Sequence, residues 1–393
     1  MPEAILVDPC NFVDYPTGGQ LSFAKQLMKA YGDRLALVGV STDCTPVGCW
    51  MAKQFDGHKF MYLSFCRCTH THKRPLVPGR LKAVAGLMRY RRQIFGLGVR
   101  NLLTQSPEAL ISLSNLPWES ICYCLAGAEN PLRRSRYHWA RSLSKLFDRS
   151  WIKSLRRADV ILACADRPSI DRFLQERHWE ELGQRIIPFP TRYDDAIFYP
   201  VPIEMARSRL GIPLDCIVLA TIGRINITKG WDLALNGFKI FLAGYPNSLL
   251  FFVGDGEDRD ALLRRAARIG VETAVHVTGF LEPRKVAEFI NAADLVVFGS
   301  QFEGWSVAML EALGCGKPIV TTEVSGVHDL ILEGRNGLIV RERQPECLAK
   351  AMSDALRLTS ATCESIRIAQ RYRLADLGQE LGRIWPPLVW RAE

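Results

Sequence analysis

Two carboxylates stand eight residues apart in the chain, at Glu303 and Glu311. An apolar run at 294–298 ends just before them and a helical pattern begins between them, which predicts a strand, a turn and a helix. Residues eight apart on a helix are about 80° out of phase, so both can face one ligand about 12 Å long. Gly304 permits close backbone approach, and free N–H groups at the helix start can bind an anion. Carboxylates can bind the hydroxyl groups of a ligand, and the neighbouring amides can bind its phosphate. Together they suggest a ligand such as a nucleotide-sugar.

Two cations, Arg224 and Lys229, follow the strand-like run 217–222 and are flanked by Gly223 and Gly230. A guanidinium can bind phosphate through two hydrogen bonds, while an ammonium acts as a point charge, so the pair suits a diphosphate. A plain basic turn is the alternative interpretation. The segment also lacks the Gly-Lys-Ser/Thr ending of a Walker loop.

Paired glycines at Gly18 and Gly19 precede the first helical pattern, at 20–31. Glycines at a helix start can admit a phosphate or a sugar. An ordinary turn is the alternative, because glycine is common in turns for conformational reasons alone.

A length of 393 residues predicts two domains, and 48% hydrophobic with 23% charged residues is typical of a globular protein. No apolar run reaches about 18 residues, and the start of the chain resembles a first strand more than a signal peptide, so we expect a cytoplasmic protein.

The twelve cysteines are scattered, and we expect them to be reduced. On a strand, Cys66, Cys68, His70 and His72 would share a face and could hold a metal. Structural zinc sites usually have wider ligand spacing, so we predict no metal site and keep this cluster as the alternative.

The net charge of +9 is unevenly distributed, because residues 1–200 hold 28 Lys+Arg and 18 Asp+Glu. Two stretches, 67–100 and 132–157, each contain nine basic residues and at most one acidic residue. They predict either solvated helical faces or a surface for anionic lipid or an anionic acceptor. No nucleic-acid-binding module is recognisable, so we expect no nucleic-acid partner.

Strand-like and helical segments alternate along the chain, and the alternation restarts after residue 215. This predicts an α/β protein with two doubly wound domains, whose ligands bind beyond the carboxyl ends of the strands. Four prolines at 188–202 mark the boundary. The patterns of the second half include strands at 217–222 and 294–298 and helices at 231–242 and 306–313.

Taken together, these segments resemble glycosyltransferase family 4. The family signature stands here as Glu-Gly-Trp-Ser at 303–306 and Glu-Ala-Leu-Gly-Cys-Gly-Lys-Pro at 311–318. The resemblance is strong over most of 205–345 and loose over the N-terminal half. It implies the GT-B fold, with two Rossmann-like domains facing a central cleft. In that arrangement 1–200 would bind the acceptor, 201–375 would bind the nucleotide-sugar, and a helix in 376–393 would cross back to the first domain.

The resemblance also implies roles for individual residues. Arg224 and Lys229 would hold the donor diphosphate and stabilise its growing charge, and Glu303 would contact the donor sugar. Glu311 would bind the ribose hydroxyls. Backbone near Gly279 and Phe280 would contact the base of the nucleotide. The segment of Gly304, Trp305, Ser306 and Val307 would face the phosphate. Gly18 and Gly19 match the glycine loop that closes on the donor.

The implied activity is retaining, metal-independent transfer of a hexose from a UDP- or GDP-linked donor, with no further cofactor. The acceptor would be a glycan or a lipid-linked molecule used in surface polysaccharide or glycoconjugate synthesis. A peripheral position at the inner membrane face would accompany a lipid-linked acceptor.

The chain departs from the family in one respect. Many members carry an active-site histidine in the N-terminal domain, whereas the best-matching stretch here, 124–132, contains none. Two alternatives therefore stay open: a catalytically inactive nucleotide-sugar-binding partner protein, and a sugar-nucleotide epimerase on the same fold.

Overall fold

The computed structural model describes residues 1–16, 19–68, 79–125, 142 and 144–388. The chain forms two compact units. Unit 1 comprises Met1–Pro190 and Ala375–Glu393, and unit 2 comprises Thr191–Leu374. Each unit contains a mainly parallel sheet with helices between its strands, so the prediction of an α/β chain with two doubly wound domains is confirmed.

The division after Pro190 falls within the predicted boundary segment 188–202, ten residues before the predicted domain limit at 200. The described part of the segment 376–393 belongs to unit 1. The acceptor-binding and donor-binding roles of the two domains stay predictions.

Unit 1 is built on an eight-stranded sheet with the strand order β3-β4-β2-β1-β5-β6-β7-β8. Its pairs are parallel except β3 with β4, which form an antiparallel edge. The central strands β1 and β2 are apolar and buried along their whole length, as expected for strands covered on both faces. The strands are β1 Ala4–Val7, β2 Leu35–Ser41, β3 Trp50–Phe55, β4 His58–Arg67, β5 Asn101–Thr104, β6 Ser120–Leu125, β7 Val160–Ala163 and β8 Ile186–Pro188.

The helices of unit 1 come from both ends of the chain. The C-terminal helix Leu377–Ile384 (α14) is fixed to unit 1 because Trp385 Nε1 donates to Ser120 Oγ at 2.7 Å and the Tyr31 hydroxyl donates to the Gly378 carbonyl at 3.0 Å. The N-terminal helices are α1 Gly19–Tyr31, α2 Gly79–Phe95, α3 Pro107–Leu113, α4 Ser144–Leu155 and α5 Arg167–Arg177.

Unit 2 contains a six-stranded parallel sheet with the order β11-β10-β9-β12-β13-β14. The order reverses at β9, which pairs with β10 on one side and with β12 on the other. Loops that leave the carboxyl ends of strands at such a reversal diverge and leave a crevice, where open α/β sheets bind ligands. The strands are β9 Ile217–Ile222, β10 Ser248–Val253, β11 Val275–Val277, β12 Leu295–Phe298, β13 Ile319–Thr322 and β14 Gly337–Val340.

The helices of unit 2 cover both faces of this sheet. Helix Trp231–Gly244 (α7) packs its apolar residues, among them Phe238 and Phe241, into the core that lines one face. The other helices are α6 Ile203–Leu210, α8 Arg259–Ile269, α9 Pro283–Ala292, α10 Val307–Gly314, α11 Val327–Leu330, α12 Pro345–Ala355 and α13 Ala361–Ala369.

Within the described ranges, no helix combines the length and the apolar character that spanning a membrane requires.

Candidate functional site

The loop after β9 holds both predicted cations. Asn226 fixes its shape, since Asn226 Oδ1 accepts a hydrogen bond from the backbone N–H of Lys229 at 3.0 Å and caps the short 3-10 helix Ile227–Lys229. Arg224 is exposed. Across the chain segments that the structure describes, its guanidinium has neither an ion-pair nor a hydrogen-bond partner. A guanidinium in this state is available to an anion from solution.

The loop after β12 is held in place by side chains that donate hydrogen bonds to its backbone carbonyls. Arg343 Nη1 donates to the carbonyl oxygens of Gly299 at 2.6 Å and Ser300 at 2.7 Å. The Ser300 carbonyl also accepts from Thr322 Oγ1 at 2.6 Å. Three hydrogen bonds to two consecutive carbonyls fix the start of the loop that leads to Glu303.

The two loops approach so closely that only glycine fits at the contact. Gly230 has φ +69°, and a Cβ at Gly230 would overlap the carbonyl oxygen of Gly299. The backbone N–H of Gln301 donates to the Thr228 carbonyl at 2.8 Å and joins the loops a second time. Because these loops leave β9 and β12 at the reversal of the strand order, their side chains reach a common crevice.

Lys229 and Glu303 form an ion pair across this contact. Lys229 Nζ lies 2.6 Å from Oε1 and 2.8 Å from Oε2 of Glu303. Ser300 Oγ donates to Glu303 Oε1 at 2.7 Å, and only 8% of the Glu303 side chain is exposed against 39% of the lysine. The carboxylate is therefore fixed in orientation, while the ammonium still faces solvent and has a donor to spare.

A small pocket, with about 10 Å³ of enclosed space, lies at the carboxyl end of β9. Both cations and Ser300 contribute to its wall, together with apolar side chains that include Trp231, Phe252 and Phe298. The structure thus brings Arg224, Lys229 and Glu303 to one place. Their roles toward a diphosphate and a sugar stay predictions.

Glu311 lies in the second turn of α10 and is half-buried. Burial raises the pKa of its carboxyl from 4.5 to about 8. Nowhere in the described residues does a hydrogen bond or an ion pair reach this carboxyl group, nor is it joined to the pair of Lys229 and Glu303. A desolvated carboxyl group without a partner is costly unless a ligand supplies one.

The residues between the two glutamates form the turn and the start of α10. Ser306 is the N-cap, and its Oγ accepts from the Met309 N–H at 3.4 Å. Trp305 is buried, whereas Gly304 is exposed and Val307 begins the helix. The N–H groups of Val307 and Ala308 have no partner within the helix, so they are available to an anion.

Gly279 and Phe280 follow β11, at the edge of the same sheet. Gly279 has φ +74°, and Phe280 is 79% exposed. A large apolar ring in solvent is free to stack on a planar ligand. No contact joins these two residues to the ion pair among the residues that the structure describes, so their base-reading role stays a prediction.

The predicted elements of unit 1 are described only in part. Gly19 begins α1 and is exposed, while Gly18 lies outside the described residues. Of the basic stretch 67–100 the structure describes 67–68 and 79–100, and of the stretch 132–157 it describes 142 and 144–157. Most of the segment 124–132 lies outside the described residues. Cys66 and Cys68 are half-buried free thiols, whereas His70 and His72 lie outside. Between 1–16, 19–68, 79–125 and 144–388, no cluster of three potential metal ligands occurs.

Three residues that support the site were not predicted from the sequence: Ser300, Thr322 and Arg343. They act by hydrogen bonds over 3, 22 and 43 residues, respectively. Only Ser300 carries a local signal, since it lies two residues after a buried strand, at the sheet's carboxyl edge.

The part of the chain that holds this site is similar to known proteins. Residues 202–372 match the family model of Glycosyl transferases group 1. D-inositol 3-phosphate glycosyltransferase of Acidothermus cellulolyticus is 31% identical over 212 residues, which are 51% of this chain and 47% of that protein. Mannosylfructose-phosphate synthase of Agrobacterium fabrum is 30% identical over 174 residues, 42% and 38% of the two chains. The match thus spans less than half the length of these relatives.

Solved structures extend the similarity of fold to the whole chain. Sucrose-phosphate synthase of Thermosynechococcus elongatus superposes with a TM-score of 0.74 at 17% identity, and covers 98% of each chain. HepE of Anabaena, solved in complex with UDP-glucose, superposes with a TM-score of 0.69 at 19% identity. The match covers 97% of this chain and 98% of HepE. The chain therefore has the GT-B fold, and its residues 202–372 are similar to the group 1 glycosyl transferases.

Proposed function

We propose that the protein is a retaining, metal-independent glycosyltransferase of family 4 that transfers a hexose from a nucleotide-diphosphate sugar to a glycan or lipid-linked acceptor. The observation that carries the proposal is the ion pair of Lys229 with Glu303 beside the exposed Arg224, whose guanidinium has no partner among the described residues. A crevice with two cations and one fixed carboxylate suits a ligand that combines a diphosphate with a polyhydroxylated ring.

The two cations would stabilise the leaving group of the reaction. When the bond between the anomeric carbon and the diphosphate oxygen breaks, its electron pair stays on the leaving nucleoside diphosphate. Arg224 and Lys229 neutralise the charge that develops there, which can contribute about 3–4 kcal/mol per group to transition-state stabilisation. Two neighbouring cations would supply the neutralisation that a divalent metal supplies in other transferases, which supports a metal-independent reaction.

The carboxylates recognise hydroxyl groups. Glu303 is held by Ser300 and Lys229, so its remaining lone pairs can accept hydrogen bonds from the sugar in one orientation. Glu311 would accept hydrogen bonds from the ribose, which would give its carboxyl group the partners that no described residue supplies. The retaining outcome and the hexose follow from the resemblance to family 4.

The names of similar proteins support the choice of donor and of acceptor. The HepE structure contains UDP-glucose, and we infer a UDP- or GDP-linked donor for this chain, with the base next to Gly279 and Phe280. Several similar proteins are named for phosphate-bearing sugars or inositol. An anionic acceptor, drawn to the basic unit 1 and used for surface polysaccharide or glycoconjugate synthesis, fits this pattern. We infer no nucleic-acid partner.

Helix α2 supports a peripheral position at the inner face of the cytoplasmic membrane. Its buried residues Ala83, Leu87 and Ile94 share one face, and Leu81 and Met88, on the opposite face, are 38% and 46% exposed. The helix contains five basic residues and no acidic residue. An apolar strip flanked by cations is typical of helices that lie on anionic lipid. Four of the basic side chains are exposed and form no ion pair with any described residue: Lys82, Arg89, Arg91 and Arg92.

The proposal is tested by nucleotide binding followed by turnover. A thermal-shift screen of UDP, GDP and their hexose conjugates should give a concentration-dependent rise in Tm for one base. The donor so found should then be hydrolysed slowly without acceptor in the presence of EDTA, and NMR should show that the released sugar first appears with the anomeric configuration of the donor.

The other outcomes separate the alternatives. Binding without hydrolysis would indicate an inactive nucleotide-sugar-binding partner, and conversion of one nucleotide-sugar into its epimer would indicate an epimerase. Absence of binding to every nucleotide would overturn the proposal, and loss of turnover in EDTA would overturn metal independence.

A further inference from the structure

The segment 303–314, which carries both glutamates, packs at its two ends against the two places where the chain passes between units. These crossings lie at Pro190–Thr191 and at Leu374–Ala375. The residues on the unit 2 side of each crossing, Tyr193 and Tyr372, make the contacts. A site segment in contact with both crossings can respond to their conformation.

At the N-terminal end of the segment, Trp305 is enclosed between Tyr372 and Gly326. The rings of Trp305 and Tyr372 lie 5.4 Å apart at an angle of 58°. On the other side Gly326 has φ +78°, and a Cβ there would come within 2.5 Å of Trp305 Cε3. Trp305 is only 8% exposed, and its buried indole N–H donates no hydrogen bond to any residue in the described ranges. Packing alone therefore holds this ring.

At the C-terminal end of the segment, Gly314 closes α10 against Tyr193. A Cβ at Gly314 would overlap the ring of Tyr193 and would also touch the carbonyl oxygen of Phe198 at 3.0 Å. Tyr193 is 5% exposed. The helix that carries Glu311 thus ends on the first crossing, whereas the turn that carries Glu303 is held against the second.

The two crossings are joined to each other by backbone hydrogen bonds. The N–H of Tyr193 donates to the Tyr372 carbonyl at 3.2 Å, and the N–H of Leu374 donates to the Tyr193 carbonyl at 2.9 Å. Tyr193 and Arg373 form an isolated parallel bridge, and the guanidinium of Arg192 lies 5.9 Å from the Tyr372 ring. Displacement of one crossing would disturb the other and both ends of the segment.

We propose that Tyr372 and Tyr193 are positioning residues of the nucleotide site, and that a nucleotide bound at 303–314 and the hydrogen-bonded pairing of the crossings stabilise each other. The inference rests on the proposed function, because it takes the ligand of the segment to be a nucleotide. Packed side chains favour discrete arrangements over continuous deformation, so a ligand that orders Trp305 also orders Tyr372. Thermodynamic linkage makes the effect reciprocal.

The test combines hydrogen exchange with calorimetry on the full chain, with UDP and GDP as probes. In the wild type, the bound nucleotide should slow exchange of the Tyr193 and Leu374 amides at least about fivefold, since both amides donate the pairing hydrogen bonds. Tyr372→Ala removes the ring and should abolish that response and raise the nucleotide Kd about tenfold. Tyr372→Phe keeps the ring and should behave as the wild type.

Each outcome decides the matter. An unchanged Kd in Tyr372→Ala, or a bound nucleotide that leaves the exchange of both amides unchanged, overturns the coupling while leaving the proposed function intact. Failure of the wild type to bind either nucleotide overturns the proposed function and the coupling with it. If Tyr372→Ala does not fold by circular dichroism, Tyr372→Leu, which keeps apolar volume without the ring, takes its place with the same expected results.

Discussion

Lys229 Nζ contacts both carboxylate oxygens of Glu303, at 2.6 and 2.8 Å, across 74 residues of chain. The pair joins the loop after β9 to the loop after β12 at the reversal of the strand order. Its ammonium is 39% exposed and its carboxylate 8%, so the cation is the member that a ligand reaches first. The pair therefore holds a carboxylate in one orientation beside an accessible cation, which is the arrangement that the proposed sugar and diphosphate require.

Lys229→Ala should lower turnover at least about a hundredfold, since loss of one preorganised charge at a developing anion costs about 3–4 kcal/mol. Steady-state kinetics at saturating donor would measure the effect, and circular dichroism would show that the fold is kept. Lys239→Ala is the matched control, because Lys239 is exposed on α7 and outside the site. A rate near that of the wild type in Lys229→Ala would contradict the assigned role.

Glu311→Gln should change how stability depends on pH. Burial raises the pKa of Glu311 to about 8, so between about pH 4.5 and 8 the folded protein holds a proton that the unfolded chain has released. This group's contribution to stability is therefore lost as the pH rises toward 8. Glutamine cannot ionise, so the Tm of the variant relative to the wild type should rise by at least about 2 °C from pH 5 to pH 8, or roughly 1 kcal/mol.

The comparison of variant with wild type isolates Glu311 from other groups. Burial also raises the pKa of Asp8, to about 7, and Asp8 shifts the stability of both proteins in the same direction. Differential scanning calorimetry at both pH values measures the difference in Tm. The same difference at pH 5 and at pH 8 would show that Glu311 ionises normally in the folded protein.

Gly230→Ala should destabilise the protein and abolish nucleotide binding. Alanine at φ +69° costs about 1–2 kcal/mol, and its Cβ would also overlap the Gly299 carbonyl and separate the two loops. Gly211→Ala separates these effects, because Gly211 has φ +66° with no heavy atom within 4 Å of the added Cβ. We expect Gly211→Ala to lose only the stability that the strained backbone conformation costs, and to keep the affinity of the wild type for UDP or GDP. Equal losses of Tm and of affinity in both variants would refute the close contact.

Much of the fold of unit 2 follows from local sequence. The apolar runs predicted at 217–222 and 294–298 correspond to β9 and β12, and the helical period at 231–242 corresponds to α7, which extends to Gly244. Buried parallel strands are continuous apolar runs, which are easy to recognise. The antiparallel pair β3 and β4 was not predicted, because the edge strand Trp50–Phe55 is mostly exposed and lacks such a run.

The positions of the candidate site residues were predictable from the strands that they follow. Arg224, Lys229 and Glu303 each follow a strand, and the reversal of the strand order explains why they meet. Their connection was not predictable, since the ion pair and the hydrogen bonds from Ser300 and Arg343 depend on tertiary distances. The same holds for Trp305, whose contacts with Tyr372 and Gly326 have no local sequence pattern.

Membrane association should depend on the exposed cations of α2. The double change Arg89→Glu and Arg92→Glu places two acids beside the exposed Met88 and should abolish flotation with vesicles that contain about one third phosphatidylglycerol. Wild-type flotation should weaken as NaCl rises from about 0.05 to 0.5 M, since the attraction is screened.

The matched control for this experiment lies on the other unit. Arg264→Glu with Arg268→Glu makes the same change of charge on two exposed arginines of α8. If net charge alone drives association, both double variants should lose flotation equally, whereas a specific lipid-facing surface requires that only the α2 variant does. Wild-type binding that is insensitive to salt, or no binding at all, would remove the membrane from the proposed function and leave an anionic soluble acceptor as the reason for the basic unit 1.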